Sequence, residues 1–113
     1  MSEIPQPKKI WVYGKPTDMR KSFDGLSALV RHHLDEIPTS GDLFIFLNRK
    51  KTYLKALIWD RTGFLMFAKR LERGRFRLRK SGEKVLIERS SLRMLLDGVS
   101  VGGTEISRSK NER

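Results

Sequence analysis

The chain of 113 residues contains no cysteine. A small secreted domain usually needs disulfide staples, so the absence points to a reducing compartment, and the expected localisation is cytoplasmic. No window approaches the ~18 apolar residues of a membrane span. The start, Met-Ser-Glu-Ile-Pro, lacks the basic and apolar segments of a secretory leader. A soluble protein with no membrane partner is expected. Histidine is scarce: His32 and His33 are adjacent, and neighbours on a helix point about 100° apart, a poor geometry for chelating one ion. No metal site and no cofactor are expected. There is no cysteine nucleophile and no Gly-x-Ser-x-Gly elbow. Gly74 and Gly102-Gly103 lack the strand-loop-helix context of a phosphate cradle. The candidate carboxylates for a metal-dependent nuclease are Asp18, Asp24 and Asp60. Asp18 and Asp24 are separated by about 600° of helical rotation and face apart. Asp18 has a simpler role at a helix start, and Asp60 in a turn. No catalytic residue is assigned, and the chain reads as a non-enzyme.

What the chain has in excess is positive charge, and the excess is clustered. The formal net charge is +11. Between Arg49 and Lys84 there are thirteen lysines and arginines against Asp60, Glu72 and Glu83, a net of +10. Charge so concentrated draws polyanions. Arg70, Arg73, Arg75, Arg77 and Arg79 are arginines, whose planar fork matches phosphate and the guanine edge.

The length suits one domain. Ile10 to Tyr13 reads as an opening strand after a flexible leader over residues 1–9. Met19, Phe23, Leu26, Leu29, Val30 and Leu34 fall on one helical face, which predicts a helix from about Asp18 to Asp35 with Thr17 as its cap. Leu43–Leu47, Tyr53–Trp59 and Phe64–Lys69 read as three strands of an antiparallel meander, joined by tips at Asn48–Lys51 and Asp60–Gly63. Gly63 is available for a positive φ in the second tip. Both faces of these strands are apolar, so one helix cannot cover them; a later helix or a partner subunit is needed. Arg75-Phe76-Arg77-Leu78-Arg79 alternates strictly and reads as a strand, with Lys84–Ile87 returning beside it as a basic hairpin. Ser90 or Ser91 caps a short helix through Leu96, with Gly98 just past its end. Residues 100–113 read as a disordered tail. The expected fold is α+β: an antiparallel meander sheet packed on an N-terminal amphipathic helix, a basic hairpin, and a short C-terminal helix, forming one domain over residues 10–99.

Three stretches carry a family resemblance. They are Pro16–Leu26 (Pro-Thr-Asp-Met-Arg-Lys-Ser-Phe-Asp-Gly-Leu), Gly41–Phe46 (Gly-Asp-Leu-Phe-Ile-Phe) and Trp59–Phe64 (Trp-Asp-Arg-Thr-Gly-Phe). The last leads to Lys69–Phe76 (Lys-Arg-Leu-Glu-Arg-Gly-Arg-Phe). In this order they resemble the TnpB accessory protein of the insertion-sequence 66 family of bacterial transposable elements, which is distinct from the RNA-guided nuclease of the same name. The resemblance runs from Ile10 to Gly98. It implies a non-catalytic accessory of transposition, working beside a separate, larger transposase that carries the catalytic acids. Two departures stand out. Ser22 occupies a position where the family usually has Gly, and Arg77 to Lys84 lacks the Trp-Pro feature that follows Arg-Gly-Arg-Phe.

The expected DNA-binding residues are Arg49, Lys50, Lys51, Arg61, Lys69, Arg70, Arg73, Arg75, Arg77, Arg79 and Lys80. Lys8, Lys9 and Lys15 are expected outside the site. The alternative is a protein-interaction module docking on the transposase through Asp18, Arg20 and Lys21, polar residues off the apolar stripe. The DNA of the element's ends or target, the transposase and a further copy of the chain are the expected partners. Trp11, Tyr53 and Trp59 could stack on bases, but aromatics in apolar strands read first as core.

Overall fold

The computed structural model of the chain describes residues 5–106. The order of elements is β1 (Ile10–Tyr13), α1 (Phe23–His32), a 3-10 turn (Pro38–Ser40), β2 (Leu43–Leu47), β3 (Tyr53–Asp60), β4 (Gly63–Arg70), β5 (Lys84–Ile87), α2 (Arg89–Leu96) and β6 (Thr104–Glu105). The fold is α+β, with all six strands in one mixed sheet ordered β4-β3-β2-β1-β5-β6. β2, β3 and β4 run antiparallel in chain order. β1 lies parallel to β2, Ile10 opposite Leu43 and Tyr13 opposite Phe46. The sheet is therefore not purely antiparallel. Residues 14–42 carry α1 between these strands, and a helical crossover is the connection that brings a chain back to a parallel neighbour.

Side chains alternate between the two sheet faces, and each face carries a buried apolar cluster. One holds Val12, Ile45, Leu54, Ala56, Ile58 and Val85, covered by Leu95, Leu92 and Leu96 of α2 and by Phe76, Leu78 and Val101. The other holds Trp11, Phe44, Phe46 and Leu57, covered by Leu26 and Val30 of α1 and by Leu34. Each fully buried large side chain stabilises the fold by roughly 1.5–3 kcal/mol relative to exposure. Two polar side chains are paired into this core. Trp11 Nε1 donates to Asp42 Oδ2 at 3.0 Å, and Lys55 Nζ donates to the Lys21 carbonyl at 2.8 Å.

Helix α1 is shorter than its apolar stripe predicts, and its N-cap is Ser22, not Thr17. Asp18 is the reason. Its carboxylate accepts the Arg20 backbone N–H at 2.9 Å, offering the chain a local alternative to helical bonding. Thr17 is meanwhile held against β2, its N–H donating to the Leu47 carbonyl at 2.8 Å. At the other end Asp35 adopts φ 57°, a left-handed turn that stops the helix before the predicted boundary. Helix α2 starts earlier than expected, with Glu88 rather than Ser90 or Ser91 at the N-cap. It ends at Leu96, with Gly98 just past its end as the sequence predicts. Val99 N–H reaches the Met94 carbonyl at 2.9 Å and Gly98 N–H the Leu95 carbonyl at 3.0 Å, with Gly98 at φ 81°, the Schellman arrangement.

The ordered unit extends beyond 10–99. Lys8 N–H donates to the Gly41 carbonyl at 3.2 Å. Residues 101–106, expected in a disordered tail, bury Val101, pair β6 with β5 and pack Ile106 on the α1 face. Main-chain bonds hold this segment as well: Arg79 N–H donates to the Val101 carbonyl at 2.7 Å and Ile106 N–H to the Lys84 carbonyl at 2.8 Å. The remainder of the expected leader, residues 1–4, and of the expected tail, residues 107–113, lie outside the described residues. No described helix is long and apolar enough to cross a membrane.

Candidate nucleic-acid interface

The tip between β2 and β3 is built by Asn48. Its Oδ1 accepts the N–H groups of Thr52 at 2.9 Å and Tyr53 at 3.0 Å. Lys51 N–H bonds the Asn48 carbonyl at 3.0 Å, and Lys51 takes φ 60° to complete the turn. A residue with a short amide side chain suits this position, because it satisfies the turn's own amides. Arg49, Lys50 and Lys51 are left exposed on a braced tip.

The loop after β4 is fastened to that tip at both ends. Leu71 N–H donates to the Thr52 carbonyl at 2.9 Å, and Phe76 N–H donates to the Lys51 carbonyl at 2.8 Å. Phe76 is buried in the α2-side core, so Arg73, Arg75 and Arg77 stay exposed around the anchor. Lys80 reaches the same end, lining with Lys51 a cleft of about 90 Å³ floored by Val12 and Leu47. The alternation of Arg75 to Arg79 is therefore real: apolar residues turn in and arginines out. The ladder is not the predicted one. Leu78 makes a single bridge, to Val101, while β5 pairs with β1 and β6. No basic β-hairpin forms, because β5 has β1 along one edge and β6 along the other.

The structure sorts the expected residues. Arg49, Lys50, Lys51, Arg70, Arg73, Arg75, Arg77 and Lys80 gather at one end of the sheet. Of these only Arg70 has an acidic partner among the described residues, Glu72 at 3.4 Å. Arg61 sits at the far end of β3, roughly 25 Å away at strand rise, and beside Asp60 at 3.6 Å. It, not Gly63, takes the positive φ of that tip, at 50°. Lys69 is drawn to Asp97 at 3.6 Å, and Arg79 donates to the Ser100 carbonyl at 2.9 Å. Two lysines counted in the basic segment are structural: Lys55 is buried under Lys21, and Lys84 pairs with Glu36 at 2.7 Å.

Lys15, expected outside the site, follows β1 to the same end of the sheet, where it lies 3.7 Å from Glu83. Only the pairing of β1 beside β2 carries it there, and no local pattern signals that. Asp18, Arg20 and Lys21 also lie on this approach, in the loop whose Thr17 is bonded to Leu47. Arg20 grips Asp18 with its guanidinium at 2.6 Å. That grip, with the Arg20 backbone N–H, holds the Asp18 carboxyl well below the usual carboxylate range. Trp11 is core, and Trp59 packs edge-on against Phe64 with ring centres 5.0 Å apart. Among the described residues no three His, Asp or Glu side chains are grouped to hold a metal ion.

Among the described residues, then, the chain is an α+β domain with one sheet end rich in cations and no group of acids able to hold a metal ion. The chain matches the family described as IS66 Orf2 like protein over residues 8–105, and it belongs to that family. It is 36% identical over 95 residues to the uncharacterized protein y4hO of Sinorhizobium fredii (strain NBRC 101917 / NGR234), covering 83% of each chain. It is 37% identical over 68 residues to the uncharacterized protein y4jC of the same strain, covering 60% of this chain and 58% of that one. No solved structure matches.

Proposed function

We propose that this chain is a non-catalytic accessory of insertion-sequence transposition that binds DNA through the basic end of its sheet. Family membership supports the transposition role. One observation carries the DNA reading: the 71–76 loop is bonded at its two ends to Thr52 and Lys51 beside the Arg49–Lys51 tip, so cations distant in sequence share one surface with few acids to neutralise them. Phosphates are the ligands such a surface takes, and arginine forks favour them.

If ~6 phosphates are engaged, log affinity falls against log salt with a slope near −5. A gel-shift series across salt measures it. Charge reversal of Arg49, Lys50 and Lys51 together abolishes the shift, whereas reversal of Lys8 and Lys9 leaves it nearly intact. Absence of any shift at low salt overturns the reading.

A second reading is favoured by the exposed, braced pair of Asp18 and Arg20 beside Lys21: docking on the transposase without direct DNA contact. Co-purification with the transposase after nuclease treatment distinguishes it, because association through shared DNA disappears under nuclease.

A further inference from the structure

Strand β4 is an open edge. It is the outermost strand on its side and eight residues long, whereas the opposite edge is β6, with two residues. The Leu71 N–H points inward, to Thr52, continuing the register in which Tyr53 faces Arg70. Main-chain groups alternate along an antiparallel strand. Residues 63, 65, 67 and 69 therefore also point inward, and Phe64, Met66, Ala68 and Arg70 present their N–H and C=O groups outward. Among the described residues, no main-chain bond from outside the β3–β4 ladder reaches Phe64 to Arg70. The usual protections of an edge are missing: there is no proline, no bulge in the register, and no charge from Gly63 to Ala68. Leu65 is 38% exposed.

We propose that β4 pairs antiparallel with β4 of a second copy of this chain, joining two six-stranded sheets into one. The outward main-chain groups match those of a second copy across a two-fold axis, and charge sets the direction. The strand is apolar from Phe64 to Ala68, with both its cations at the C-terminal end. An antiparallel self-pair lays the apolar Met66–Ala68 centres together and moves the two cationic ends apart; a parallel one sets those ends side by side. The outward groups then fix the register. Only even-numbered residues can bond across the edge, so the two-fold axis must pass through a residue, not between two. Centring it on Phe67 engages all four outward residues, Phe64 with Arg70 of the second copy and Met66 with Ala68 of the second copy. Phe67 then faces itself, and Leu65 faces Lys69 of the second copy. Arg70 of the second copy lies over Phe64, whose ring already packs against Trp59, a favourable seat for a guanidinium.

The absence of cysteine makes the test direct. Full-length Phe67→Cys, mildly oxidised, gives a disulfide-linked dimer on a non-reducing gel, while Met66→Cys and Ala68→Cys remain monomeric. Phe67 packs partly on the core, so a second variant guards against misfolding. Ala68→Pro removes an outward N–H and leaves the β3 ladder intact. It weakens self-association in sedimentation equilibrium by more than about tenfold, with circular dichroism unchanged. Leu65→Glu, facing Lys69 of the second copy, tightens the dimer relative to Leu65→Lys. A wild-type chain that stays monomeric at about 0.1 mM overturns the proposal, as does equal cross-linking at 66, 67 and 68.

Discussion

The ammonium of Lys84 lies 2.7 Å from the carboxylate of Glu36, with 7% of the lysine side chain exposed against 24% of the glutamate. The same ammonium sits 4.8 Å from the centre of the Trp11 ring. A lysine in the basic stretch is thus a strut between β5 and the segment after α1. The two partners are not equivalent. Removing Glu36 strands a buried cation; removing Lys84 leaves an acid that water can reach. Glu36→Gln is expected to cost about 2 kcal/mol in urea unfolding, and Lys84→Met less than about 1 kcal/mol. Lys84→Met leaves DNA affinity unchanged, although it lowers net charge.

The two ends of β3 differ in the same DNA assay. Neutralising Lys51 or Arg75 to Gln lowers affinity and reduces the salt slope by about one for each phosphate that goes unneutralised. Neutralising Arg61, at the opposite end and beside Asp60, leaves the slope as it was. Equal effects at both ends would mean generic attraction rather than a site.

Asn48→Ala removes the acceptor for two backbone N–H groups. The expected cost is about 1–3 kcal/mol, measured by chemical denaturation. Since the tip anchors the 71–76 loop, amide exchange of Leu71 and Phe76 accelerates in this variant.

Gly98 holds φ 81°, and a Cβ there would press on the Leu71 side chain at 3.3 Å and the Arg75 carbonyl at 3.4 Å. Gly98→Ala is expected to cost about 1–2 kcal/mol for the left-handed backbone alone. Thermal unfolding reads it.

Asp18 provides a pH test. Its carboxyl is held low in the folded chain by the Arg20 guanidinium and backbone N–H. Whatever stability it contributes is present above the ordinary aspartate range and is lost as pH falls through the depressed value. Both groups are solvent-exposed, so the effect on unfolding is small. Carbon-detected NMR titration sees it directly: Arg20→Gln returns Asp18 toward the ordinary range and leaves Asp97, held low by Arg93 and Lys69, where it was.

Much of this protein was legible locally. The runs Ile10–Tyr13 and Leu43–Leu47 are strands because they are short, apolar and bounded by turn residues. Gly98 announces the end of α2. Helix α1 was overextended because periodicity continues through Met19 and Leu34 while the backbone does not; Asp18 and Asp35 offer it other hydrogen bonds and other dihedrals. The arginine alternation from Arg75 to Arg79 was legible as inward and outward faces. Its partner was not, because alternation records burial and says nothing of which strand lies alongside.

Composition and order of residues thus determined where the first four strands and the two helices lie in outline, the excess of charge, and the scarcity of metal and nucleophile ligands. Tertiary structure alone decided which cations stand together. Arg49 to Lys51, Arg73 to Arg77 and Lys80 meet because two backbone hydrogen bonds tie a loop to a hairpin tip, and Lys15 joins them because β1 lies parallel to β2. Lys55 and Lys84 leave the set because the core takes them in. Long-range pairing is a property of the whole packed sheet, settled by the summed burial of both its faces, and no local pattern encodes it.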